Sequence, residues 1–201
     1  MRRRTFDALV SVAGLLVAAV LLAAGILLGW GHSFVNSEVH NQLAAQKIVF
    51  PTTTNPEFKA LPKADAAPMS KYAGQLMTNG AQAETYADHF IAYHLTLIGG
   101  GKTYSQLSAE AMAMPQTSKQ YAALQGQVQT VFRGDTLRSM LLNAYGFWKM
   151  GQIALIASIV SYVGAGLLLI LSILGFVHLR RSAPDEEIMP KVRTRVAANA
   201  S

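Results

Sequence analysis

The sequence predicts an all-α membrane protein in which two transmembrane helices, near the two ends of the chain, continue as stalks into a small extracytoplasmic helical bundle. Three observations predict it. The composition is 51% hydrophobic with only 14% charged residues, a balance of membrane rather than soluble proteins. The apolar residues are concentrated: residues 8–30 form one uncharged run of 23 and residues 150–177 another of 28. Lys and Arg cluster just beyond the outer ends of these runs, at Arg2, Arg3 and Arg4 and at Arg180 and Arg181.

The N-terminal segment 1–7 is therefore expected in the cytoplasm. The first run would be about 34 Å long as a helix, enough to cross a hydrocarbon core of about 30 Å. It also exceeds the apolar core of a cleaved signal peptide, about 7–15 residues, so it is expected to remain as an anchor. Positively charged residues near membrane ends stay inside, which places both termini in the cytoplasm of a plasma-membrane protein and residues 31–149 outside. That central segment carries nine basic and seven acidic residues, with only Lys47 and Lys149 near the membrane among the basic ones. Trp30, Tyr145, Phe147 and Trp148 fall where an interfacial aromatic belt is expected.

Beyond the first span, Val35, Val39, Leu43 and Phe50 recur at helical spacing, predicting an amphipathic stalk to about residue 50. Pro51, Pro56, Pro62 and Pro68 mark residues 51–70 as an extended connector. Gly80 opens a helix with Ala83, Ala87, Phe90, His94 and Leu97 on one stripe, closed by three glycines at 99–101. Thr103 with Gln106, and Thr117 with Gln120, have the spacing of capping boxes for two further helices. The second carries Tyr121, Leu124, Val128, Val131 and Phe132 on its apolar face and is expected to break at Gly134. Asp135 would cap a second stalk, with Leu137, Met140, Leu141, Ala144 and Trp148 on its stripe, leading into the second span. The tail, residues 178–201, is basic at its start, and from Ser182 onward it is polar and expected to be disordered.

Charge and composition exclude several functions. Eight of the 17 basic residues sit in the two short ends, where they set topology and meet anionic headgroups, so the net charge of +6 points to membrane lipids and not to nucleic acid. The chain has no Cys, which removes disulfides, thiolate–zinc sites and thiol catalysis together. Residues 98–103, Ile-Gly-Gly-Gly-Lys-Thr, echo a phosphate-binding loop. The glycine that loop requires five residues before its last one is Thr96 here, and a helix precedes it where a strand is needed, so no nucleotide is expected.

Glu84, Asp88, His89 and His94 form the one polar cluster with the residue types of a reaction centre. On a regular helix His89 and His94 diverge by about 140°, which does not bring two ligands to one ion. No metal, cofactor or catalytic residue is therefore expected, and His94 should lie on the buried stripe with Asp88 and His89 in solvent. Within the spans, Gly25 and Gly29 form a GxxxG pair, and Ala157, Ser161 and Ala165 a small-residue stripe, the features that let helix backbones approach closely.

The segments Arg3-Arg4-Thr5-Phe6-Asp7-Ala8-Leu9-Val10, Asn79-Gly80-Ala81-Gln82-Ala83 through Tyr86-Ala87-Asp88-His89-Phe90-Ile91, Gly100-Gly101-Lys102-Thr103-Tyr104 and Leu141-Leu142-Asn143-Ala144-Tyr145-Gly146-Phe147-Trp148 resemble a family of uncharacterised actinobacterial two-span membrane proteins. Members often carry the name aromatic-ring-opening dioxygenase, which implies a non-haem iron held by two His and one carboxylate. The residues themselves point to a non-enzymatic accessory or scaffolding protein that binds another integral membrane protein or complex. A sensor-like ectodomain signalling through a partner is the alternative, and an extracytoplasmic enzyme comes last.

Overall fold

In the computed structural model, which describes residues 3–181, most residues are helical, and among those residues the only β pairing is a single antiparallel bridge between Val49 and Leu76. The order is α1 (Arg3–Ala45), α2 (Pro56–Lys59), α3 (Lys63–Ser70), α4 (Gly80–Thr85), a π-helical turn (Tyr86–Ile91), α5 (Ala92–Ile98), α6 (Tyr104–Ala113) and α7 (Lys119–Arg181). Both α1 and α7 are long and apolar enough to cross a membrane. The chain divides into two compact units, one built from Met1–Gly29 with Leu155–Ser201 and the other from Trp30–Ala154.

In the Trp30–Ala154 unit, α1 stops earlier than its apolar pattern predicts. Lys47 adopts a left-handed conformation, φ 54°, just past the helix end, and the chain leaves in an extended stretch. That stretch is held by Phe50 N–H donating to the Gln75 carbonyl at 2.9 Å and Met77 N–H donating to the Ile48 carbonyl at 2.8 Å. Phe50 thus enters the core from an extended segment and not from the stalk, and is 1% exposed.

The proline-rich connector is also more ordered than expected. Asn55 caps α2 through its side chain, which accepts from Glu57 N–H, and Pro56 occupies the first turn, where its missing N–H costs no hydrogen bond. Pro62 directly precedes α3. Pro56 and Pro62 therefore start short helices, while Pro68 lies inside α3; Phe58 of α2, Leu61 between the two helices and the fully buried Met69 of α3 enter the core with Met77, Ala83 and Ala87.

Asn79 and Gln82 form a capping box at the start of α4, and Thr103 and Gln106 form the expected one at α6. At α7 the cap falls one residue later than expected, on Ser118, whose Oγ accepts from Tyr121 N–H. The π turn lets the phase of the α4–α5 helix slip, so the buried stripe runs Ala83, Ala87, Ile91 and leaves Leu97 59% exposed. A satellite core joins α6 to α7 through Leu107, Ala111, Val128 and Val131, with Leu95 of α5 packed against it.

Gly134 does not break a helix and Asp135 does not cap one, since α7 runs unbroken through both. A Cβ at Gly134 would lie 2.4 Å from Leu95 Cδ2, so this glycine admits α5 against α7. At the far end α7 continues to Arg181, so His178–Arg181 are helical, not disordered. The tail expectation from Ser182 onward lies outside the described residues.

Candidate functional site

The polar cluster forms around the π turn. A π turn places i→i+5 hydrogen bonds in an α-helix, and such turns recur at functional sites; this one carries Asp88 and His89. Asp88 Oδ1 accepts from Arg138 Nη2 of α7 at 2.6 Å, and Arg138 Nε also donates to the Ala87 carbonyl at 3.3 Å. His89 Nδ1 lies 2.9 Å from Asp65 Oδ1 of α3. Glu84 accepts a hydrogen bond from the Tyr145 phenol, and that carboxylate raises the Tyr145 pKa above its ordinary value. His94 Nδ1 donates to the Phe90 carbonyl at 2.7 Å, and its ring packs on Phe90 and Tyr93. Each of the four expected residues therefore has a partner. Asp88 and His89 are half-buried and take part in ties between elements, instead of standing free in solvent.

Asp65 of α3 and Arg138 and Tyr145 of α7 complete the cluster and are not legible in the sequence, because they lie far along the chain from the residues they meet and none has a local spacing signal. Among the described residues no three His, Asp or Glu side chains converge where they could hold a metal ion. The non-haem iron implied by the family resemblance needs two His and a carboxylate at one point, and the residues described here do not fit it. The cluster can lock α3, the π turn and α7 together through charge-assisted hydrogen bonds.

A second feature of the same unit is an open groove of about 530 Å³ between α1 and α7. Val35, Val39, Leu43, Leu141 and Ala144 line it with apolar surface, while Glu38, Gln42, Gln46 and Asn143 supply polar groups and Phe34 and Phe147 stand at one end. Phe34, Glu38 and Gln42 recur every four residues and so form one row along α1, which Gln46 continues in the turn just past the helix end. In that row Gln42 Nε2 donates to Glu38 Oε1 at 2.6 Å. Across the pair, His32 Nδ1 donates to the Gly151 carbonyl at 2.9 Å.

In the unit formed by the two chain ends, Gly25 and Gly29 face α7. A Cβ on Gly25 would lie 2.9 Å from Tyr162 Cε1 and one on Gly29 would lie 3.2 Å from Ser158 Oγ, while Ser158 Oγ donates to the Gly25 carbonyl at 2.8 Å. The packed faces repeat every seven residues, with Ser11, Ala18 and Gly25 buried on α1 and Ser158, Ala165 and Ser172 on α7. A strict sevenfold repeat of small residues is the pattern of left-handed close packing. Ala165 lies on that face, and Ala157 and Ser161 flank it half-buried. Toward the chain ends Asp7 Oδ2 is buried, with His178 Nε2 3.9 Å away.

Comparisons with known protein families, with curated proteins and with solved structures find no match to this chain.

Proposed function

We propose that the chain is a two-span plasma-membrane protein, both termini cytoplasmic and the Trp30–Ala154 unit outside, that acts without catalysis as an accessory or scaffold for another integral membrane protein. The placement of Arg2, Arg3, Arg4, Arg180 and Arg181 supports the orientation. The resemblance to two-span actinobacterial proteins is consistent with it.

The observation that carries the partner is apolar surface on the Trp30–Ala154 unit beyond either apolar run. Around the satellite core, Leu97 is 59%, Phe132 48% and Tyr104 39% exposed, and the Tyr104 and Phe132 rings touch at a centroid distance of 5.4 Å. Large apolar side chains gathered on an otherwise polar surface mark an interaction face. The small-residue faces of the two long helices are already occupied by each other, which leaves this patch and the outer faces of the helices for a partner.

Isolation from native membranes in mild detergent tests the proposal. A stoichiometric integral membrane protein should co-purify with the wild type and be lost from Phe132→Ser, while thermal stability stays unchanged. A lone monomer or dimer contradicts the scaffold reading. It would favour the sensor-like alternative, which has one observation of its own: α7 is a single unbroken helix from the satellite core to Arg181. An enzyme built on Asp88 and His89 ranks behind both, because those side chains are engaged by Arg138 and Asp65.

A further inference from the structure

The groove between α1 and α7 in the Trp30–Ala154 unit is unexplained by a scaffold role. Exposed beside it are Phe34 at 56%, Met140 at 64% and Phe147 at 57%. Helix interfaces close over apolar stripes, because about 25 cal/mol is gained per Å² buried. Here the stripes of Val39 and Leu141 meet at the base of the groove, but the side chains above them stay apart. The open space, about 530 Å³, lies within the range of small-molecule sites, about 300–1,000 Å³.

We infer that this groove holds one acyl chain of a bilayer lipid, drawn from the leaflet beside it. The inference rests on the proposed membrane orientation, and three observations select the occupant. The first is continuity: Phe34 lies one turn along α1 from Trp30, and Phe147 one turn along α7 from Gly151, so the phenylalanine end of the groove adjoins the ends of both apolar runs. Length is the second. From Phe34 to Ala45 the α1 wall measures about 16 Å, and the chains of one leaflet fill half of a hydrocarbon core of about 30 Å.

The third is the chemistry of the walls. The amides of Gln42, Gln46 and Asn143 can donate to ester and headgroup oxygens, and no Lys or Arg lines the groove. Glu38 is its one charge. A free fatty acid would bring a carboxylate against that carboxylate, whereas an esterified chain does not. The geometry thus favours an esterified bilayer lipid over a soluble fatty acid.

The test is photocrosslinking of the full-length protein in phosphatidylcholine vesicles containing a small fraction of phosphatidylcholine with a diazirine on one acyl chain. Adducts are expected on Val35, Met140 and Phe147 in addition to residues 8–30 and 150–177. They should be suppressed by excess unlabelled phosphatidylcholine but not by oleate. Ala144→Trp fills the groove from its floor and should remove the groove adducts while leaving those on the two apolar runs. Met140→Gln with Phe147→Gln alters only exposed side chains, so it keeps the fold if Ala144→Trp does not, and should remove them too. Adducts on the apolar runs with none in the groove overturn the inference and leave the membrane reading intact. Absence of adducts everywhere overturns both. Groove adducts that persist in the double variant, that oleate competes away, or that are replaced by cross-links between two copies also overturn it.

Discussion

Gly80, the first residue of α4, and Gly134, inside α7, each lie at a point of close approach between helices. At Gly80 a Cβ would sit 2.4 Å from Trp148 Cβ and 2.7 Å from its Cγ, atoms fixed to the α7 backbone that cannot swing aside. Gly126, inside the same long helix, would meet nothing within 4 Å. Gly126→Ala should therefore raise stability by about 0.5–1 kcal/mol through backbone entropy. Gly80→Ala should lower it by about 1–3 kcal/mol through overpacking. Thermal denaturation in one detergent decides both signs. Tyr86 makes a second residue-scale prediction. Burial first, and then the Glu57 carboxylate, raise its phenol above the ordinary value of 10.0. The folded state then holds this proton more tightly than the unfolded chain. Its contribution to stability is whole below the unfolded pKa and is lost as pH rises through the folded one. Tyr145 has the same sign through Glu84. Stability should fall as pH rises past about 10, the ordinary phenol value, and less steeply in Tyr86→Phe, least in the Tyr86→Phe, Tyr145→Phe double variant. An unaltered alkaline limb in both would contradict these assignments.

Among the elements, those with strong local chemistry were legible and those set by tertiary contact were not. The Thr103–Gln106 box and both long apolar helices follow from spacing and composition that neighbours do not alter. The helices α2 and α3 were hidden because proline reads as a breaker, although in a first turn it favours a helix. The π turn has no periodic signature, and its phase slip moved burial from Phe90 and Leu97 to Ile91. Of the candidate site, the sequence showed Asp88 and His89 but not Arg138 or Asp65, which lie 50 and 24 residues away along the chain. The small-residue faces were visible as GxxxG, whereas their sevenfold repeat emerges only from the pairing of α1 with α7. Gly25→Leu with Gly29→Leu should drive side chains into Tyr162 and Ser158 and break the bond from Ser158 to the Gly25 carbonyl. Membrane insertion should survive, since both runs stay apolar, while the melting temperature in detergent falls. Unchanged stability would show that this face is not what pairs the two helices.

For the whole molecule, the proposed partner face, the proposed lipid site and the proposed role of the basic ends are all argued with the Trp30–Ala154 unit outside. Two helices of sufficient length and apolarity are present, and the proposed direction rests on the charge distribution. The chain has no cysteine, so single thiols can be introduced without background. Thr53→Cys, in the exposed turn before α2, and Ser201→Cys should be treated separately on intact cells with a membrane-impermeant maleimide. Labelling of Thr53→Cys in intact cells, with Ser201→Cys labelled only after permeabilisation, is the predicted result; labelling of Ser201→Cys in intact cells, or protection of Thr53→Cys, would contradict the account.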